Sequence, residues 1–280
     1  MLHRRTVSVL VLVFAALALL ALALRHYQRV ITTRVTVVVA RYREDVAWMA
    51  SPHWRQVVHR FYLYCKGPEL TDAEHAALPD NVVVCRLPNV GRCDHTYVHH
   101  IVEHYGAKGV TVFVSGDANN PRKGPKIHRV IWLAALTGTT VFSGGPIEGD
   151  SPAFGDNFHL NAYLSQNDCN RRDEGADTSL RAATPRPYGT WFRDRFPGEP
   201  FPTLVCWMSI FAVHRRHITQ HPVARYQGLR DELADHPNPE AGHFVERSWV
   251  TIFGPVPKEC LYDDNAEIES LDVKKYQNNW

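Results

Sequence analysis

Three groups of residues in this chain have the types and spacing that chemistry needs. Asp117 follows an apolar run at 110–114 and Ser115-Gly116. A carboxylate so placed can hold a hard divalent cation such as Mg²⁺ or Mn²⁺, which in turn neutralises phosphate oxygens. It can equally be an Asx-turn residue that shapes a loop. The segment DHTYVHHIVEHY carries His95, His99 and Glu103 at i, i+4 and i+8, on one face of a helix. Such a stripe can bind Zn²⁺, but it lacks the glutamate placement of H-E-x-x-H, and spacing fixes no third ligand. The plainer reading is a helix whose histidines hydrogen-bond partly at the surface and partly beside a pocket near Arg92. The third group, EAGHFVER at 240–247, is the densest cluster of titratable groups beside apolar residues. A carboxylate at the start of a helix there serves either as a general base or as a cap that complements the helix dipole.

Other chemistries lack their motifs. There is no G-x-S-x-G nucleophile elbow, no P-loop and no G-x-G-x-x-G. The six cysteines (Cys65, Cys85, Cys93, Cys169, Cys206 and Cys260) include no C-x-x-C pair, which argues against a zinc ribbon or a thioredoxin-like centre. In an oxidising compartment one or two disulfides fit, and in a reducing one these are buried apolar thiols. No Asn-x-Ser/Thr acceptor occurs. The net charge of +2 gives no basic field for a nucleic acid.

The elements that position these groups begin with a hydrophobic segment at 6–24, TVSVLVLVFAALALLALAL, preceded by His3, Arg4 and Arg5. Nineteen residues without a charge make a helix of roughly 28 Å, close to the hydrocarbon thickness of a bilayer. It is read as a single-pass signal anchor, partnered by lipid. The competing reading is a cleaved signal peptide ending at Ala21-Leu22-Ala23. Arg4 and Arg5 favour a cytoplasmic start and a type II protein with its domain lumenal or extracytoplasmic, although Arg25, Arg29 and Arg34 weaken the contrast. After a tail at 1–5 and the anchor come a juxtamembrane linker at 25–34, a globular domain at 35–255 and a polar tail at 256–280. Residues 149–202 lack periodicity and read as a long loop or lid.

Within the domain, β-rich apolar runs predict strands at 35–42, 61–64, 82–86, 110–114, 139–142 and 204–213. Helices are predicted at 94–105, with Asp94 as N-cap, at 127–136, at 217–233 broken by Pro222, and at 244–253, with a short helical stretch at 44–49. The alternation is the α/β signature, with a mostly parallel central sheet flanked by helices. In such sheets ligands collect at the carboxyl ends of strands, and those ends carry Arg41, Asn89, Arg92 and Asp117. One shared site is the simplest expectation.

In order along the chain, VVVARYREDVAWM, FYLYCKG, LPNVGRCDHTYVHHIVEHY, VTVFVSGD, SIFAVHRRHITQHPVARYQGL and GHFVERSWVTIF resemble the family known as domain of unknown function 3431. Its layout is in turn similar to GT-A glycosyltransferases, which implies a nucleotide-sugar donor, a glycan acceptor and a Mn²⁺ or Mg²⁺ ion. By that resemblance Asp117 and His243 would hold the metal and Glu246 would deprotonate the acceptor. Arg41 and Arg92 would face the departing diphosphate, and His95, Asn89 and Arg247 complete the implied substrate-binding set. The chain departs from the pattern at Asp117-Ala118-Asn119, where the second acid of Asp-x-Asp is missing. Two other readings stand beside this one. They are a metal-dependent hydrolase built on the His95/His99 face and a binding module that keeps the fold without the chemistry.

Overall fold

The computed structural model describes residues 34–146, 155–161 and 180–263, together with residues 15, 17 and 18. The anchor expected at 6–24 lies outside the described residues except at those three positions. Among the described residues no helix is long and apolar enough to cross a membrane.

The β-branched runs fold as read. Strand β1 (Val35–Arg41) is buried along nearly its whole length, as expected of a strand covered on both faces. It pairs in parallel with β2 (Val58–Cys65) on one side and β4 (Val110–Ser115) on the other, and β3 (Val82–Arg86) adds to β2. The full order among the described residues is β3-β2-β1-β4-β7-β5-β6, where β5 is Val141–Pro146, β6 Leu204–Val205 and β7 Phe211–His214. Strand β8 (Leu261–Asp263) pairs with β5 in parallel.

The sheet is mixed rather than mostly parallel. β7 runs antiparallel to both β4 and β5, and β6 antiparallel to β5. A strand's own composition reports burial, not direction, so an apolar run suits a central antiparallel strand equally well. The stretch 204–213, expected as one strand, is two short ones separated by a 3-10 turn at Trp207–Ser209. Met208 and Ser209 have φ of 65° and 51° there, so the chain cannot stay extended. The segment expected as a polar tail from 256 supplies β8. Inside the expected lid the structure adds a helix, α4 (Tyr188–Arg195), with Tyr188, Trp191 and Phe192 buried.

Helices cover both faces. α1 (Asp72–Ala76) is a short surface turn closed by a Thr71/Glu74 capping box. α2 (Arg92–Glu103) and α7 (Glu240–Ile252) pack over one face, and α3 (Gly124–Thr137) over the other. α5 (Arg215–Ile218) and α6 (Val223–Glu232) follow β7 on either side of Pro222, as the sequence suggests. Asp94 is not the cap of α2. The helix begins at Arg92, with Gly91 in the left-handed region at φ 59°. A Cβ on Gly91 would lie 2.5 Å from His95 Cβ and from the Leu233 carbonyl oxygen, so only glycine suits that entry.

The connections from β1 to β2 to β3 step outward on one side of β1, and β4 returns to the other side. The gap between the carboxyl ends of β1 and β4 is therefore the topological switch point, where open α/β sheets place ligands.

Candidate active site at the carboxyl edge of the sheet

α2 follows β3, so its first turn sits at the carboxyl edge of the sheet, and α7 crosses beside it. The Arg92 guanidinium meets the His243 ring there, with Nη1 2.9 Å from Nδ1. A guanidinium only donates, so His243 accepts and is held neutral. Burial, then Arg92 and Arg247, push its pKa well below the usual value. Arg92 has φ 54°, a strained conformation for a side chain this large. The turn is pinned from below by Lys66, whose buried ammonium donates to the carbonyls of Val90 and Arg92. Burial pushes Lys66 down to about 8.

Two carboxylates stand in the same place. Asp94 is buried and accepts from Ser209 Oγ at 2.8 Å and Trp249 Nε1 at 3.2 Å. Burial and the nearby Glu246 carboxylate raise it to about 6. Glu246, half-buried, accepts the Met208 N–H at 2.8 Å. Cys93, beside Asp94, is pushed up to about 12, first by burial and then by Asp94, against the pull of Arg92 and Lys123. Arg247 is buried under its neighbours. It donates to the His243 carbonyl at 2.8 Å and lies 3.6 Å from the Phe158 ring centroid and 5.7 Å from that of Trp207.

The turn between β6 and β7 straps these groups together. Lys126 donates to the Trp207 carbonyl at 3.1 Å, Glu246 holds Met208, and Asp94 holds Ser209. Each contact joins a different element to one short turn, so the site is rigid where it is most strained.

Of the residues singled out in the sequence, Arg92, His243, Glu246 and Arg247 lie together here. Glu246, however, is the seventh residue of α7 and not at its start. The acid at the helix start is Glu240, fully buried, which accepts from Leu160 N, Ala183 N and Arg186 and fastens two loops. Asp117 lies at the end of β4, half-buried, 3.4 Å from Lys123 Nζ. The Lys123 charge also bears on the Cys93 thiol, the last of several influences on it.

Three expected residues lie elsewhere. Arg41 is turned toward the β2 side, where it donates to the Glu44 and Pro68 carbonyls at 3.0 and 2.9 Å and faces Glu74 at 3.5 Å. Asn89 is exposed in the bend before α2. His95 is buried beside Gly91 and stacks on His99 with ring centroids 6.1 Å apart. Burial, Lys66 and His99 lower it to about 3, and Glu103, two turns further along α2, is paired with Arg230 at 3.5 Å.

The donor set does not suit a divalent cation as it stands. His243 turns its ring to Arg92 with Arg247 close by, and Asp117 faces an ammonium. Among the described residues no three His, Cys, Asp or Glu side chains gather as a metal site. An open groove of about 350 Å³ lined by Asn157, His159, Asn161, Arg186 and Pro187 lies beside Glu240.

Sequence reasoning missed Asp94, Lys66 and Lys123. Lys66 had a usable signal, since it follows the apolar run of β2 just as Asp117 follows that of β4.

These features define an α/β protein with a charged site at the carboxyl edge of a mixed sheet. Residues 37–268 match the family described as Protein of unknown function (DUF3431), and the chain belongs to that family. A comparison with curated proteins returns no match.

Proposed function

We propose that the protein is a glycosyltransferase-like enzyme that moves a sugar from a nucleotide-sugar donor to an acceptor hydroxyl. The observation that carries this reading is the meeting of Arg92, Arg247 and the carboxylates Asp94 and Glu246 at one strand edge. Sugar transfer makes two electrostatic demands. As the C–O bond to the donor phosphate breaks, the diphosphate leaves with the electron pair, and fixed cations stabilise it. As the acceptor oxygen bonds to the sugar carbon, its proton needs a base. Glu246 meets the second demand, because it is partly exposed and its contact with Met208 N uses one carboxylate oxygen. Asp94, deeper and raised in pKa, suits a supporting place. The hydrophobic segment at 6–24 would hold the domain beside a bilayer, with the domain on its lumenal or extracytoplasmic side.

The test is full-length protein in detergent, assayed against a panel of nucleotide sugars for hydrolysis and for transfer to glycan acceptors. Turnover of at least one donor is expected. Glu246→Gln should lower kcat by about 10²–10⁴-fold with the donor KM nearly unchanged. No turnover of any donor, or wild-type turnover in Glu246→Gln, would sink the proposal. Resistance of the protein to extraction from membranes by alkaline carbonate tests the anchor separately.

A further inference from the structure

We infer that the Lys123 ammonium, with the Arg92 and Arg247 guanidinium groups, takes the place of a divalent cation against the substrate diphosphate. The inference rests on the reading above and narrows it to a metal-independent site. Asp117 ends β4 where a cation-binding acid would stand, but its Oδ2 faces Lys123 Nζ at 3.4 Å, with both side chains only partly exposed. Two residues on, where a second acid would complete a chelate, Asn119 donates its amide to Asp45 Oδ2 at 3.2 Å. That amide is committed to the loop after β1. His243, the remaining candidate ligand, is turned to Arg92 and flanked by Arg247, and two fixed positive charges oppose a third on the same ring.

The cations are placed to act instead. Lys123 immediately precedes α3, whose first turn reaches the site where Lys126 donates to the carbonyl of Trp207, the residue whose ring lies 5.7 Å from the Arg247 guanidinium. It therefore stands at the β4 side of the switch point, on the same edge of the sheet as the Arg92 turn. An ammonium has three donors, so Lys123 can face Asp117 and still donate to phosphate oxygens. In this arrangement Asp117 is a positioning residue that holds the lysine at the strand end.

The two roles for Asp117 predict opposite results. Full-length protein in detergent is titrated calorimetrically with inorganic diphosphate, UDP and GDP, once in EDTA and once in Mn²⁺. Binding of at least one ligand in EDTA is expected, with affinity changed less than about threefold by Mn²⁺. Lys123→Met should weaken that binding by about tenfold, Lys123→Arg should restore most of it, and Asp117→Asn should bind at least as tightly as wild type. Thermal melting of each variant confirms folding. Binding that needs Mn²⁺ and is lost in Asp117→Asn overturns the inference and leaves the transferase reading standing. Unchanged binding in a folded Lys123→Met also overturns it. No binding under either condition overturns the transferase reading as well.

Discussion

The two faces of the central sheet are built from different materials. The face under α3 is largely aliphatic: Val35, Val37, Val39, Val110, Val112 and Val114 meet Ile127, Val130, Ile131 and Ala134. The face under α2 and α7 is aromatic, with Tyr97, Phe113, Phe211, Phe244, Trp249 and Phe253 packed in one layer and in ring contact with their neighbours. It also holds the buried titratable groups Asp94, His95, His100, His243 and Arg247. Rings with polar handles, such as Trp249 and Tyr188, can satisfy buried hydroxyls and carboxylates while filling volume, as Trp249 does for Asp94 and Tyr188 for Ser248. Aliphatic side chains cannot. One face is a foundation, and the other is a foundation with chemistry set into its upper edge.

The largest effect expected from this difference is in the aromatic layer itself. Phe211 is fully buried and its ring lies 4.8–6.0 Å from those of Tyr97, Phe113, Phe142, Trp249 and Phe253. Phe211→Ala should cost about 3–5 kcal/mol, read from the midpoint of urea unfolding. A cost below about 1 kcal/mol would mean that the layer collapses easily into the space, and the distinction between the faces would lose its force.

The aliphatic face was also the part that could be read in advance, for a physical reason. Its signal is local: VTVVVA is a strand whatever lies above it, and Ile127, Val130, Ile131 and Ala134 repeat with helical spacing. The site signal is not local. Arg92 and His243 are 151 positions apart, Asp94 and Ser209 115, and Asp94 and Trp249 155. An aspartate near a helix start has the spelling of an N-cap, and only the turn at 207–209 makes it a buried acceptor. Arg41 shows the converse. It ends a central strand, as a ligand-binding residue would, yet its guanidinium is committed to two carbonyls and Glu74. α4 went unread because Tyr188-Gly189-Thr190-Trp191-Phe192 is short and aromatic, without the periodicity that marks a helix.

The next effect distinguishes the faces by pH. Asp94 has an ordinary value of 3.8 and is raised to about 6 by burial and by Glu246. Between those values the folded chain keeps a proton that the unfolded chain releases, so stability falls as pH rises through that window. Asp94→Asn keeps an acceptor for Ser209 and Trp249 and carries no charge. The melting temperature of the variant minus that of wild type should therefore grow from about pH 4 to just above pH 6 and then level off. A difference that stays flat across that range, or shrinks, would show that Asp94 is not a buried acid held against its charge.

The smallest expected effect lies on the other face and supplies the control. Ile131 is fully buried between α3 and the valines of the sheet. Ile131→Val removes one methylene and should cost about 0.5–1.5 kcal/mol by urea unfolding. A methylene binds no proton, so the cost should be the same at about pH 5 and about pH 8. If it changed with pH as the Asp94→Asn difference does, the two faces would be coupled through the sheet, and the titratable layer could not be treated as separate from its foundation. If it stays constant, the pH response belongs to the α2/α7 face, where Arg92, Asp94, His243 and Glu246 meet.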